Sequence, residues 1–133
     1  MAARIQIAVA VLVRDGLVLL VHRHPARQHY PNAWSFSAGG HVDPGESHHQ
    51  AVTRECREEL AIQIHAPVPV PMTISDPTLD MRAFLVTSWD GDPVNAAPEE
   101  HDDLRWFRPA DLPALNLAHP ESLPTLLSAI RTA

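Results

Sequence analysis

The chain has 133 residues, 45% hydrophobic and 20% charged, with sixteen Asp and Glu against ten Lys and Arg for a formal charge of −6. These values describe one globular domain over residues 1–133 and exclude wholesale disorder, collagen-like repeats and coiled coils. The acidic balance argues against a nucleic-acid polymer as partner, because backbone binders usually carry net positive charge.

Cys56 is the single cysteine. No intrachain disulfide or cysteine-rich zinc module can form, which points to a reducing, cytoplasmic compartment. No apolar run reaches the roughly 18 residues of a membrane-spanning helix, so no membrane association is expected. Met1-Ala2-Ala3-Arg4 lacks the cleavage site of a signal peptide and reads as leading into a first strand.

Ile5 to Val13 is β-branched and ends at Arg14-Asp15-Gly16, a hairpin signal. Leu17 to Val21 returns as a second strand. His22 to Asn32 is a polar loop punctuated by Pro25 and Pro31. Trp34 to Ser37 reads as a short strand that Gly39-Gly40 stops, and 41–47 as a second loop. Ser47 to Leu60 contains no Gly or Pro and is rich in helix formers, so a helix is expected there. Ile62 to Met72, Met81 to Trp89 and Leu104 to Phe107 have strand character, and Ser122 to Arg131 reads as a C-terminal helix.

At about 100° per residue, Glu55, Glu58 and Glu59 share one face of the first helix, while Val52, Cys56 and Leu60 lie on an adjacent face that packs on the sheet. Three like charges on one face repel, and Glu58 and Glu59 sit at the unfavourable end of the helix dipole. A solvated acidic face would tolerate this. A hard divalent cation would offset it, since such ions prefer carboxylate oxygens.

The flanks weigh on that choice. Gly40, five residues, Glu46, seven residues, then Arg54-Glu55-Cys56-Arg57-Glu58-Glu59-Leu60-Ala61-Ile62 resembles the Nudix box. Six fixed Gly, Glu and Arg positions match, a coincidence expected in ~10⁻⁵ of chains this long at ordinary residue usage. Ala61 stands where the family usually has Gly, which weakens the turn after the helix but removes no ligand.

The resemblance implies an α/β (α+β) Nudix fold, a mixed β-sheet sandwiched between helices. It implies hydrolysis, assisted by Mg²⁺ (or Mn²⁺), of a nucleoside diphosphate linked to another moiety. By position it implies metal ligation by Glu55 and Glu59, by the Gly40 carbonyl, and often by Glu58. Arg54 and Glu46 resemble the pair that orients this cluster. Glu100, six residues before Trp106, resembles the further metal-binding or base-supplying acid of MutT-type members. Glu58 and Glu100 both stand as the group that takes the water's proton. Arg23 resembles a phosphate- or base-contacting arginine, and His119 lies near where MutT-type enzymes contact the base.

The run from Tyr30 to Val42 carries one residue more than the MutT pattern, with Ala38 for its proline, and partly resembles isopentenyl diphosphate isomerases. Those use a cysteine on this strand; Ser35, Phe36 and Ser37 offer none, which argues against isomerase chemistry. His22-Arg23-His24 and His48-His49 lack the cysteines and spacing of structural zinc.

The expected substrate is a nucleotide, best a (deoxy)nucleoside triphosphate cut to monophosphate and pyrophosphate, with oxidised or modified nucleotides among the candidates. ADP-ribose-type hydrolysis, suggested by Pro77 fifteen residues after Ile62, and a non-catalytic nucleotide sensor are the alternatives. The sequence leaves open a monomer or a homodimer.

Overall fold

A computed structural model describes residues 3–133; Met1 and Ala2, part of the segment read as leading into the first strand, lie outside the described residues. The chain forms β1 (Ile5–Arg14), β2 (Leu17–Arg23), β3 (Trp34–Ser35), β4 (Ala38–His41), α1 (His48–Leu60), β5 (Gln63–His65), β6 (Val68–Val70), β7 (Leu79–Val86), β8 (Ser88–Asp90), β9 (His101–Phe107) and α2 (Leu123–Thr132). Short 3₁₀ turns at Pro109–Ala114 and Pro120–Ser122 precede α2.

The sheet is mixed. β1 runs parallel to β7 from Ile5 opposite Leu79 to Leu12 opposite Val86. It pairs with β2 only near the hairpin, at Val13 and Arg14, whose turn residues Asp15 and Gly16 both take positive φ. Beyond that point the two strands part. β1 pairs with β4, while β2 pairs with β9 and β3. Ser37 bridges the fork: its buried hydroxyl accepts the Leu12 amide at 2.9 Å and donates to the Leu19 carbonyl at 2.6 Å.

Strand alternation sends the two faces of β1 into different cores. Ala8, Ala10 and Leu12 pack toward Ala51, Val52, Cys56 and Leu60 of α1. Val9, Val11 and Val13 pack toward Leu126 and Ala129 of α2. The helices therefore cover opposite faces, as the α/β reading expects.

Three differences from the sequence reading have local causes. Gly39-Gly40 does not stop a strand but lies inside β4. A Cβ at Gly39 would lie 2.7 Å from the Ala8 carbonyl oxygen, so close approach of the backbones requires glycine there. The stretch from Ile62 to Met72 divides into β5 and β6, with Ala66 at φ 47° between them. Met81 to Trp89 divides as well, β7 ending at Val86 and β8 turning away to pair with β5.

Candidate active site

The helix that carries the acids is capped by its own sequence. The Ser47 hydroxyl accepts the Gln50 amide at 3.0 Å, and the Gln50 side-chain oxygen accepts the Ser47 amide at 2.8 Å. This reciprocal box fixes where α1 begins. At the other end Ala61 takes a left-handed conformation, φ 57° and ψ 37°, and its amide reaches the Arg57 carbonyl. Alanine thus holds the position where glycine is the easier residue.

The fork between β1 and β2 opens into a cleft of about 600 Å³. Glu55, Glu59 and Glu100 line it together with Gly39, Gly40 and His101, and Arg23, Arg27, Tyr30, Phe36, Asp76 and His119 line it too. Glu59 is 4% exposed although charged by nature. Its Oε2 accepts the Gly39 amide at 2.8 Å. Burial pushes its carboxyl up to about 9, against the pull of that hydrogen bond. Glu55 is also raised by burial, with the adjoining Arg54 guanidinium pulling the other way.

Arg54 knits the acids together. Nε and Nη2 donate to the two oxygens of Glu46, each at 3.0 Å, and Nη1 donates to Glu55 at 2.9 Å and to Glu58 at 3.2 Å. Nη2 also reaches the His41 carbonyl at 3.0 Å, anchoring the helix to the end of β4. This fork of charge-assisted bonds raises the Arg54 pKa and holds the Glu46 carboxyl below its usual range.

The expected single face of three acids is two-sided in the fold. Glu55 and Glu59 enter the cleft, whereas Glu58 is 56% exposed and touches the cluster only through Arg54. Glu46 and Arg54 stand behind the cleft rather than in it. Glu100 faces it, with Oε1 3.7 Å from Nη1 of Arg27. Arg23 lies in its wall, but Nε and Nη2 both donate to the His29 carbonyl, at 3.0 and 2.8 Å. His119 packs against Tyr30, ring centroids 4.7 Å apart. Cys56 is wholly buried against the sheet, away from the cleft, and burial pushes its thiol up to about 12.

His101 is a site residue that the sequence reading missed. Its Nε2 lies 4.0 Å from Oε1 of Glu59, its Nδ1 is buried without a hydrogen-bond partner, and burial pushes its pKa down to about 4. A neutral imidazole therefore walls one side of Glu59. Arg27 was equally silent in the sequence.

Among the described residues no three His, Cys, Asp or Glu side chains close into a cage for a metal. Mg²⁺ does not need one, since it binds through one or two carboxylates and keeps waters or phosphates as its other ligands. Two observations fit such an ion. A Cβ at Gly40 would stand 2.5 Å from Oε1 of Glu55, so the missing side chain leaves room beside that carboxylate. Glu59 is buried with one amide donor and, among the described residues, no arginine in ion-pair contact.

Comparison with known proteins agrees with this architecture. The NUDIX domain family matches residues 4–127. The chain is 34% identical over 134 residues to CTP pyrophosphohydrolase of Escherichia coli (strain K12), covering 97% of this chain and 95% of that protein. It is 34% identical over 117 residues to nucleoside triphosphatase NudI of Escherichia coli O17:K52:H18, covering 77% of this chain and 80% of that one. Its fold matches the crystal structure of a MutT NUDIX hydrolase from Burkholderia pseudomallei with a TM-score of 0.80 at 27% identity, over 98% of each chain. These matches show a hydrolase that acts on phosphoric anhydrides. The chain belongs to the Nudix hydrolase family. Among the described residues no helix is long and apolar enough to cross a membrane.

Proposed function

We propose that this chain hydrolyses a nucleoside or deoxynucleoside triphosphate to the monophosphate and pyrophosphate. The observation that carries the reading is one cleft with carboxylates, arginines and aromatic rings in its wall. Relatives whose names record CTP and nucleoside triphosphates as substrates support it.

Glu55, Glu59 and the Gly40 carbonyl would hold Mg²⁺, with Mn²⁺ as its substitute, and Glu100 would complete the set. The bound cation supplies neutralisation of phosphate oxygens and a more acidic water. Arg54 holds Glu55 against rotation and is in turn fixed by the bidentate Glu46. Glu100, which faces the cleft, receives the proton of the attacking water in this reading; Glu58, exposed and tied to Arg54, serves the cluster from outside. Arg23 and Arg27 bring positive charge to the phosphate chain, and the ring of His119 offers a surface for the base.

The free buried thiol of Cys56 fits a reducing compartment such as the cytoplasm.

Incubation with a panel of nucleoside triphosphates, diphosphates and ADP-ribose at saturating Mg²⁺ tests the assignment. Monophosphate and pyrophosphate from triphosphates are the expected products. Binding without products under Mg²⁺ or Mn²⁺ would instead support a sensor.

A further inference from the structure

β9 does not match β2 residue for residue. Val21 lies opposite Leu104 and His22 opposite Asp103, but Arg23 lies opposite His101. Asp102 is therefore the extra residue of a β-bulge, a feature that re-aims the side chains beside it. The backbone pairing resumes beyond it, where the His24 amide donates to the Glu100 carbonyl at 2.9 Å.

The skip decides what faces Arg23. Val21, Arg23 and Ser35 line the cleft, whereas His22 turns to the other face, its ring 5.0 Å from that of Trp34. Leu104 stands opposite Val21, and Asp102 is two residues from Leu104. Unbroken alternation would thus set the Asp102 carboxylate on the cleft side, opposite Arg23. An acid there would pair with the guanidinium and oppose an incoming phosphate. The bulge gives that place to His101, which lines the cleft in its stead. The Asp102 carboxylate meets Nδ1 of His22 instead, at 2.5 Å.

Arg23 is set by what remains around it. Its Nε and Nη2 donate to the His29 carbonyl, at 3.0 and 2.8 Å, which leaves Nη1 without either bond. Its amide donates to the Ala33 carbonyl at 2.8 Å, and its own carbonyl accepts the Asn32 amide at 3.1 Å.

We propose that the His22–Asp102 pair is a positioning device: it pins the bulge from the face away from the cleft and so keeps the Arg23 guanidinium clear of an acid and aimed at the phosphate chain of the substrate. His22 and Asp102 act through Arg23 alone. The inference rests on the triphosphate-hydrolase reading for that phosphate chain and deepens it by naming what holds the arginine that receives it.

Calorimetric titration with inorganic triphosphate in the presence of Mg²⁺ reads Arg23 without a base or sugar. Arg23→Ala should weaken binding about tenfold or more, and Asp102→Ala about five- to tenfold. Asp102→Asn keeps an oxygen for Nδ1 of His22 and should stay within about twofold of wild type. His22→Val removes the partner from the other strand and should behave as Asp102→Ala does, so the test survives a variant that fails to fold. In the Arg23→Ala background, Asp102→Ala should add less than about twofold, which a general loosening of the fold would not produce. The full effect of Asp102→Ala in that background, wild-type affinity in both Asp102→Ala and His22→Val, or no binding of triphosphate by the wild-type protein overturns the inference. Nucleotide cleavage by the wild-type protein is scored separately. The predicted cycle in a protein that releases no product from any nucleoside triphosphate supports the positioning role and overturns the hydrolase reading.

Discussion

Oε2 of Glu59 accepts the Gly39 amide at 2.8 Å, across the boundary between α1 and β4. The bond aims a buried carboxylate into the cleft and fixes its distance from the strand that also carries Gly40. Helix and strand approach this closely because Gly40 has no Cβ, one there standing 2.5 Å from Oε1 of Glu55.

Metal-free stability should therefore depend on pH. Burial raises the Glu59 carboxyl to about 9, while in the unfolded chain it titrates near 4.5. Between those values the unfolded state releases its proton first, so the fold loses stability as pH rises. His101, lowered to about 4 from 6.5, acts oppositely in its own window: the fold loses stability as pH falls from 6.5 toward 4. Scanning calorimetry in EDTA and in Mg²⁺ at pH 6.5 and 8.5 checks this above the histidine window. Mg²⁺ should raise Tm at both, and by at least about 3 °C more at pH 8.5, which corresponds to roughly 1 kcal/mol for a domain of this size. An equal rise at both would contradict the environment assigned to Glu59.

Arg54→Lys removes the fork that grips Glu46 and Glu55 while keeping the charge. An ammonium cannot reproduce the bidentate geometry. We expect kcat/KM to fall at least about tenfold and stability to fall by about 1–2 kcal/mol, because partly buried carboxylates lose their partner. Steady-state kinetics and urea denaturation measure both effects. Unchanged kinetics would mean that the network has no bearing on the site.

Ala61→Gly restores the residue that the left-handed turn after α1 favours. At φ 57° alanine is strained by about 1 kcal/mol relative to glycine, less the entropy that glycine adds to the unfolded chain. The variant should gain about 0.5 kcal/mol, seen as a higher urea midpoint with an unchanged slope. A loss of stability would show that the helix end is held by packing alone.

The box was legible because its chemistry imposes fixed spacings on a helix. Gly40, Glu46, Arg54, Glu55 and Glu59 could be placed from those spacings. The divergence of Glu58 was hidden because helical neighbours at i+3 and i+4 lie on opposite sides of residue i, and only the sheet decides which side is covered. Gly39-Gly40 read as a break because glycine is a poor strand former; the need for a bare backbone against β1 at Gly39 and under α1 at Gly40 arises from tertiary packing. His101 and Arg27 carry no local signal, since β9 and the loop after β2 bring them to Glu59 and Glu100 only when the sheet forms. Ala66 splits the segment after α1 by taking positive φ, which no alanine announces.

Glu59→Gln tests the central claim most directly, because the amide keeps an oxygen for the Gly39 N–H and removes the charge that a divalent cation needs. Turnover of the preferred nucleoside triphosphate at saturating Mg²⁺ should fall at least about a hundredfold, on the order of 3 kcal/mol of transition-state stabilisation, with an unchanged circular dichroism spectrum. Near-normal turnover in a folded Glu59→Gln protein would contradict the account.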